Sequence, residues 1–206
     1  KDDVVVEARD IVKNYGHLRA LKGASLKVYA GEVTALLGDN GAGKSTMANI
    51  ICGAIPKTSG QLFCRGKEIE VQSIQQAQEM GIQVVYQDLA LAPDLSVPFN
   101  IFLGREVIQP TFFGRLFKLL DRKKMTQVSR ELLAELGNGL KSMTVPVKAL
   151  SGGERQALAV AKAVAWANSA LIMDEPTAAL GARQQALVYN TMRAAAAKNL
   201  GVLVIS

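Results

Sequence analysis

The segment GDNGAGKST, residues 38–46, has the residue types and spacing of a phosphate-binding loop. It fits the pattern G-x-x-x-x-G-K-[ST], whose fixed positions are Gly38, Gly43, Lys44 and Ser45. Glycines let backbone amides approach phosphate oxygens, and a following helix adds partial positive charge at its start. Lys44 would reach the β and γ phosphates of a nucleotide, and the Ser45 hydroxyl would coordinate Mg²⁺. The predicted phosphate site is completed by Asn40, Gly41, Ala42 and Thr46.

Two adjacent carboxylates, Asp174 and Glu175, follow the apolar run ALIM. A continuous apolar run of this length is typical of a strand that is buried on both faces of a parallel sheet. Open α/β sheets bind ligands beyond the carboxyl ends of such strands. Asp174 therefore suits the surroundings of the metal ion, and Glu175 suits polarising a water for attack on the γ phosphate. Acid pairs are also common on surfaces, so this interpretation depends on the phosphate loop.

A second glycine-rich loop, LSGGERQ at residues 150–156, repeats the anion-binding pattern. Ser151, Gly152 and Gly153 would expose backbone amides at the N-terminus of a helix. One nucleotide site hardly needs two such loops. We therefore expect this loop to contact a nucleotide that another copy of the chain holds. The alternative is a simple capping box formed by Ser151 and Glu154.

The elements around these motifs are those of an α/β domain. Short runs rich in Val, Leu and Thr predict strands at 4–6, 25–28, 33–38, 60–72, 81–86, 170–174 and 201–206. Apolar residues at helical spacing predict helices over 44–54, 118–136, 151–167 and 183–198. The phosphate loop thus lies between a strand and a helix, which is the context that its chemistry needs.

Composition and charge narrow the class of protein. The 206 residues, 49% hydrophobic and 20% charged, suit one globular domain and exclude collagen-like, low-complexity and coiled-coil chains. No run approaches the roughly 20 apolar residues of a transmembrane helix, and the start lacks a signal-peptide pattern. Cys52 and Cys64 lack CxxC spacing, so reduced thiols are expected. The net charge of +6 includes seven basic and two acidic residues within 105–130, which indicates an anionic partner or a solvated helical face.

Three motifs in this order resemble the nucleotide-binding cassette of ATP-binding cassette (ABC) transporters. LSGGERQ is similar to the signature sequence of that family, and it precedes ALIMDEP by a short helix. YQDLALAPDLSV, NIFLGRE and DEPTAALG look like the ATPases of bacterial sugar importers. The resemblance covers nearly the whole chain. It implies a P-loop NTPase fold: a RecA-like parallel sheet, an antiparallel β subdomain near the N-terminus and a helical subdomain at about 89–160 in a single domain, 1–206.

The resemblance also implies roles for individual residues. Tyr15 matches the aromatic residue that stacks on adenine, with a core tyrosine as the alternative. Gln87 matches the glutamine that contacts Mg²⁺ and the attacking water and links the site to the membrane subunit. Ser151 and Gly153 would meet the γ phosphate of ATP on the opposite protomer of a head-to-tail dimer.

The sequence departs from the family pattern at two places. Gly181 occupies the position where most cassettes have an aspartate in the loop that crosses the dimer interface. The switch histidine of the family would follow GVLVIS, where the chain ends at Ser206, and the only histidine, His17, does not match it by position. A missing hydrogen-bond donor typically costs on the order of 10²–10³ in rate. We therefore expect a chain truncated at its C-terminus, which binds Mg·ATP and hydrolyses it poorly.

By this resemblance the chain is the ATPase subunit of an importer, at the cytoplasmic face of the membrane. Its partners would be transmembrane permease subunits, a second cassette and, indirectly, a periplasmic or extracellular sugar-binding protein, with no nucleic acid. One alternative is a soluble cassette that acts on the ribosome, and another is a non-catalytic nucleotide-sensing module. The segment FFGRLFKLL, residues 112–120, is expected to be ordinary core, with contact to the permease or to lipid headgroups as the alternative.

Overall fold

The computed structural model describes residues 3–86, 89–137, 142–177 and 180–206. The strands within these residues are Val4–Tyr15 (β1), Leu18–Tyr29 (β2), Val33–Leu36 (β3), Ser59–Cys64 (β4), Lys67–Ile69 (β5), Ile82–Val85 (β6), Ala170–Asp174 (β7) and Gly201–Ile205 (β8). The helices are Lys44–Ile51 (α1), Ile74–Glu79 (α2), Val97–Ile101 (α3), Phe112–Leu116 (α4), Arg122–Glu135 (α5), Gly152–Trp166 (α6) and Ala182–Ala197 (α7), with a 3₁₀ turn at Val147–Ala149. None of these helices is long and apolar enough to cross a bilayer.

Strands β2, β1, β4 and β5 form an antiparallel sheet in that order. A two-residue turn joins β1 to β2, and its first residue, Gly16, has a positive φ of 57°. The pairing runs from Val4 opposite Tyr29 to Tyr15 opposite Leu18. Ladder hydrogen bonds thus carry both strands far beyond the apolar residues that predicted them. Tyr15 consequently lies at the end of this sheet.

The second sheet has the order β3-β8-β7-β6, and each neighbouring pair of strands is parallel. The first four residues of β7 are all buried, as a parallel strand covered on both faces should be. Ile205 at the end of β8 lies between Leu36 of β3 and Asp174 of β7 in the register. The loop after β3 and the acid pair at the end of β7 therefore leave the sheet at the same edge.

The parallel sheet is the middle layer of the molecule, because the two faces of β7 belong to different cores. Ala170 and Ile172 pack in the core that the antiparallel sheet and α1 also line. Leu171 and Met173 pack in the core built with α3, α5, α6 and α7. Successive strand residues point to opposite faces, so one apolar strand supplies both cores. The predicted α/β fold, with a parallel sheet, an antiparallel β part and a helical insertion, is confirmed.

Local boundaries differ from the sequence predictions most clearly at α2 and α5. The sequence did not predict α2, which begins where the Ser73 hydroxyl accepts the amide proton of Gln76. Helix α5 begins at Arg122 and not at Lys118, because the Asp121 carboxylate caps it by accepting the amide proton of Lys124 at 3.0 Å.

The expectation that residues 112–120 form ordinary core is wrong. Phe112, Phe113, Leu116 and Phe117 are all exposed in the structure. The periodicity of these apolar residues fits a helix, but it cannot tell which side of the helix faces the protein.

Candidate functional site

The predicted phosphate loop runs from β3 into α1, and its glycines have the backbone geometry that the loop needs. Gly41 and Gly43 have φ of 86° and 90°, in the left-handed region that favours glycine. A Cβ on Gly43 would lie 2.7 Å from Leu21 Cδ2 and 2.9 Å from Ala20 O. Both the conformation and the space at Gly43 therefore require glycine.

The start of α1 presents donors that an anion can use. Gly43 is the N-cap residue and has no side chain that could satisfy the first amides of the helix. The Lys44 ammonium donates hydrogen bonds to the carbonyl oxygens of Gly38 and Asp39, the latter at 3.1 Å. The lysine charge and the helix amides thus lie at the same loop, as a polyphosphate site requires.

The phosphate loop and the acid pair meet at one point. Ser45 Oγ lies 3.5 Å from Asp174 Oδ1, a distance at the outer limit for a hydrogen bond. In the part of the chain that the structure describes, no group of three or more His, Cys, Asp or Glu side chains could hold a metal ion. Mg²⁺ commonly takes only one or two protein oxygens, together with waters and substrate phosphates. Ser45 and Asp174 are a donor set of that kind.

A cleft of about 300 Å³ connects the sequence-predicted residues. Its walls are Tyr15, Leu18, Ala20, the loop residues Asn40 to Thr46, and Glu175. Tyr15 is 47% exposed and Lys13 Nζ lies 5.0 Å from the centre of its ring, so it is not a core tyrosine. The cleft therefore offers an aromatic surface, a phosphate loop and a carboxylate to one ligand.

Glu175 adopts an unusual backbone conformation for a residue other than glycine. Its φ is 47°, and its amide donates a hydrogen bond to Ile205 O at 3.0 Å. Left-handed backbone at such a residue costs on the order of 1 kcal/mol, and it persists only where surrounding contacts hold it. The bond to β8 supplies one such contact and leaves the exposed side chain beside the phosphate loop.

The second glycine loop is a capping box at the start of α6 and lies apart from this cleft. The Ser151 amide donates to Glu154 Oε2 at 2.8 Å, and the Glu154 amide donates to Ser151 Oγ at 3.3 Å. Gly153 is buried, and a Cβ there would lie 2.8 Å from Gln184 Cγ, whereas Gly152 faces open space. Among the described residues that line the cleft, none comes from this loop. The capping role is thus present, and any nucleotide that this loop meets is held elsewhere.

A second cavity, about 260 Å³ in volume, lies between the parallel sheet and the helical region. Predicted site residue Gln87 is outside the described residues, but its neighbour Tyr86 lines this groove together with Gln83, Arg105, Lys162 and Trp166. The sequence predicted permease docking near Gln87 but not the groove itself, because the lining of the groove comes from four separate segments. The only available signal was the aromatic and basic character of these residues.

Buried and partly buried polar groups line the groove. Burial lowers the pKa of Lys162, whose ammonium donates to Ala90 O at 3.1 Å. Burial, with a contribution from the Cys52 thiol 3.6 Å away, raises the pKa of Tyr86 well above its usual value. Gln83 Nε2 is buried without a hydrogen-bond partner among the described residues. An unsatisfied donor beside a groove suits a surface that a polar partner covers.

Known proteins are similar to this sequence over almost its whole length. The profile of the ABC transporter family matches residues 21–178. The chain is 42% identical to the fructose import ATP-binding protein FrcA of Rhizobium meliloti, over 98% of this chain and 78% of that protein. It is 44% identical to the xylose/arabinose import ATP-binding protein XylG of Sulfolobus acidocaldarius, with the same coverage. The ribose import ATP-binding protein RbsA of Caldanaerobacter subterraneus is 37% identical, and the chain spans 39% of its length.

Solved structures share the fold. A nucleotide-free ATP-binding cassette from an ABC transporter superposes with a TM-score of 0.81 and 25% identity, over 98% of this chain and 81% of that one. The structure of cbiO1 from Clostridium perfringens, described as part of the ABC transporter complex cbiONQ, gives 0.77 at 24% identity, over 100% and 79% of the two chains.

Proposed function

Because the chain belongs to the ABC transporter family, we propose that it is the ATP-hydrolysing subunit of an importer whose solute is a sugar. The observation that carries this proposal is the cleft in which Tyr15, the phosphate loop and Glu175 face one another. The names of the similar proteins, which import fructose, xylose/arabinose and ribose, support a sugar as the solute. These names favour import over the two alternatives, a cassette that acts on the ribosome and a nucleotide sensor.

ATP would bind along the cleft from the antiparallel sheet to α1. The exposed ring of Tyr15, with Leu18 beside it, would stack on adenine, an interaction worth about 1–3 kcal/mol. The amides of residues 40–46 would surround the phosphates, and Lys44 would exchange its bonds to loop carbonyls for bonds to the β and γ phosphates. Ser45 and Asp174, with Gln87, would hold Mg²⁺, which neutralises charge on the β and γ phosphates.

Hydrolysis requires a group that orients a water molecule for attack on the γ phosphate, on the side opposite the ADP leaving group. Glu175 lies next to Asp174 in sequence and lines the same cleft. Its carboxylate would accept a proton from the water as the water oxygen attacks the γ phosphorus, and ADP would leave with the electrons of the broken P–O bond. The fixed backbone of Glu175, bonded to β8, would keep the carboxylate in place.

A second copy of the cassette would complete each site. Ser151 is exposed, Gly152 faces open space, and their loop does not line the cleft of its own chain. In a head-to-tail dimer, the hydroxyl of Ser151 and the amide of Gly153 would meet the γ phosphate of ATP held by the other copy. ATP binding would then close the dimer, and hydrolysis with phosphate release would reopen it.

Transport would require coupling to permease subunits at the cytoplasmic face of the membrane. The groove lined by Gln83, Tyr86 and Lys162 adjoins Gln87 in sequence and has room for side chains of a short cytoplasmic helix. Docking there would transmit closure of the cassettes to the membrane subunits. A periplasmic or extracellular sugar-binding protein would act on those subunits and not on this chain.

The Glu175→Gln variant tests the proposal. The variant should bind ATP with magnesium as the unmodified protein does, because the side chain keeps its size, but turnover should fall by about 10²–10⁴. Calorimetric ATP titration and a phosphate-release assay measure the two effects. Glu32→Gln, at another exposed carboxylate, is the control and should leave both unchanged. Failure of the unmodified protein to bind ATP, or full turnover by Glu175→Gln, would contradict the proposal.

A further inference from the structure

Residues 107–121 form a small projecting hairpin, which we call the phenylalanine hairpin. Its two sides are joined by hydrogen bonds from Asp121 N to Val107 O at 2.7 Å and from Gln109 N to Leu119 O at 2.8 Å. Helix α4 forms the tip, and the hydroxyl of its N-cap residue, Thr111, accepts the amide proton of Gly114 at 3.0 Å. The tip is thus a defined turn of helix held on a paired base.

The glycine side of α4 packs against the base of the hairpin, and its phenylalanines face the solvent. Gly114 is buried, and a Cβ there would lie 2.6 Å from Gln109 O, within the hairpin. At about 100° per residue, the four large apolar side chains fall on the arc opposite the side between Gly114 and Arg115. Phe112, Phe113, Leu116 and Phe117 are accordingly 75%, 64%, 62% and 65% exposed. The usual orientation of an amphipathic helix, apolar side inward, is reversed here.

The exposed rings form one continuous apolar surface. The rings of Phe113 and Phe117 stack with centroids 6.4 Å apart and planes at 7°, and Phe112 meets Phe113 edge-on at 5.6 Å. Contact among the three rings leaves most of their area in water. Contiguous exposed apolar patches commonly mark sites of interaction with a protein or a membrane.

The charge around this surface is mostly positive. Arg115 and Lys118 lie on the tip, and Lys123 and Lys124 follow at the start of α5. No acidic residue occurs between Gln109 and Leu120, and the Asp121 carboxylate is engaged by the amide of Lys124. The partner of the hairpin must therefore accept phenylalanine and leucine side chains and provide negative charge beside them.

We propose that the phenylalanine hairpin docks the protein on an anionic phospholipid bilayer. Phenylalanine and leucine side chains partition into the boundary between headgroups and acyl chains, while arginine and lysine contact lipid phosphates. The surface of an anionic bilayer can thus accept both the apolar and the cationic side chains of the hairpin. The groove lined by Lys162 and Trp166 is a separate concave surface and suits a protein helix, whereas the projecting tip does not. The inference is independent of the nucleotide site, since no residue of the hairpin lines the cleft among those described.

Flotation with protein-free vesicles tests the inference. The unmodified protein should float with phosphatidylcholine vesicles that contain phosphatidylglycerol, and more weakly with phosphatidylcholine alone. Phe113→Ser/Phe117→Ser should weaken vesicle binding at least about tenfold, because two aromatic rings no longer enter the bilayer. Tyr189→Ser, which removes an exposed ring on α7, is the matched control and should bind as the unmodified protein does.

A second variant tests the contribution of the cationic side chains of the hairpin. Arg115→Gln/Lys118→Gln should weaken binding about fivefold per cation on vesicles with phosphatidylglycerol, and little on phosphatidylcholine alone. Lys22→Gln/Lys67→Gln removes two exposed cations outside the hairpin and should change binding little. Thermal unfolding and ATP binding should be unchanged in every variant, since the altered side chains are exposed. These two measurements therefore distinguish loss of the hairpin surface from loss of the fold.

Several results would overturn the inference. Absence of the unmodified protein from floated anionic vesicles would overturn it, and so would equal binding by the serine variant. Binding that requires permease in the vesicles would identify the partner of the hairpin as a protein. A dimer in solution that the serine variant abolishes, without vesicle binding, would identify it as a second copy.

Discussion

Glu7 shows how a single side chain links pH to the stability of the antiparallel sheet. It is buried on β1, 2.9 Å from Arg9 Nη2 and 3.4 Å from Lys27 Nζ. The hydrogen bond from Arg9 holds the pKa of Glu7 below the usual value of 4.5, with the charges of Arg9 and Lys27 acting in the same direction against burial. The folded protein therefore binds this proton less tightly than the unfolded chain.

We expect Glu7 to stabilise the fold fully above pH 4.5, its usual pKa, and to lose this contribution as pH falls through its lowered folded pKa. Glu7→Gln should reduce the free energy of unfolding at neutral pH, and the difference from the unmodified protein should shrink in acid. Urea denaturation at a series of pH values measures this. Glu32→Gln, at an exposed carboxylate, should show no such convergence. A difference that is constant with pH would mean that the ionised form of Glu7 is not what stabilises the sheet.

The residues of the phosphate loop could be predicted individually, because the motif fixes both their identity and their spacing. The left-handed conformation of Glu175 could not, since it depends on a bond to Ile205 O thirty residues later in the chain. The exposure of Tyr15 likewise depends on where the β1–β2 hairpin ends. Sequence motifs specify chemistry, whereas the backbone strain and exposure of a site come from long-range packing.

Helix α6 combines a structural cap with the proposed contact to the second copy. Aspartate at an N-cap satisfies the helix as well as serine does, but it adds a negative charge. Ser151→Asp should therefore leave the free energy of unfolding within about 1 kcal/mol and leave ATP binding to the single chain unchanged. Turnover should fall at least about tenfold, because the new charge repels the γ phosphate across the dimer.

The matched control for this variant is Ser73→Asp, at the N-cap of α2, where the hydroxyl likewise accepts the amide proton of the third helical residue at 3.3 Å. It should change neither stability nor turnover by a comparable amount. Thermal unfolding, ATP titration and phosphate release measure the three quantities. Equal turnover in Ser151→Asp and the unmodified protein would show that Ser151 acts only as a cap.

At the scale of elements, buried strands were the most predictable features. The run ALIMD is strand β7 at the predicted residues, because four consecutive apolar residues need cover on both faces. Helix α2 lacks a long apolar stripe and exists through its Ser73 cap and a single buried residue, Ala77. The phenylalanine hairpin shows the opposite case, a helical pattern whose apolar side faces away from the core. Hydrophobic periodicity gives the type of an element but not the direction that it faces.

At the scale of the molecule, Gly201 of β8 packs directly against the antiparallel sheet. A Cβ on Gly201 would collide with Val5 Cγ2 and lie 2.8 Å from Val28 Cγ1. Gly201→Ala should therefore lower the free energy of unfolding by about 1–3 kcal/mol, because the sheets must separate to admit a methyl group. ATP affinity should fall as well, since Tyr15 and the phosphate loop belong to different sheets.

Urea denaturation and ATP titration test both effects. Gly181→Ala is the control, because Gly181 has an ordinary φ of −70° and open space where the Cβ would lie. It should change the free energy of unfolding by less than about 1 kcal/mol. A stable Gly201→Ala protein with normal affinity would show that the sheets can shift without disturbing the cleft.

The order of the strands and the stacking of the two sheets lie beyond what local sequence patterns contain. β3 pairs with β8, which is far away in sequence, and no periodicity within either strand indicates its partner. The fold class followed from the alternation of predicted strands and helices, together with the resemblance of the motifs to ABC cassettes. The cleft and the groove appeared only when distant segments were assembled.

Helix α1 joins these two cavities. Its first residue, Lys44, belongs to the phosphate loop, and its C-cap residue, Cys52, contacts the hydroxyl of Tyr86 in the wall of the groove. Eight helical residues span about 12 Å. A helix this short moves as a rigid unit. Under the proposed function, a displacement of the nucleotide-binding end of α1 would reach the groove proposed to receive the permease, because no loop separates the two ends of the helix.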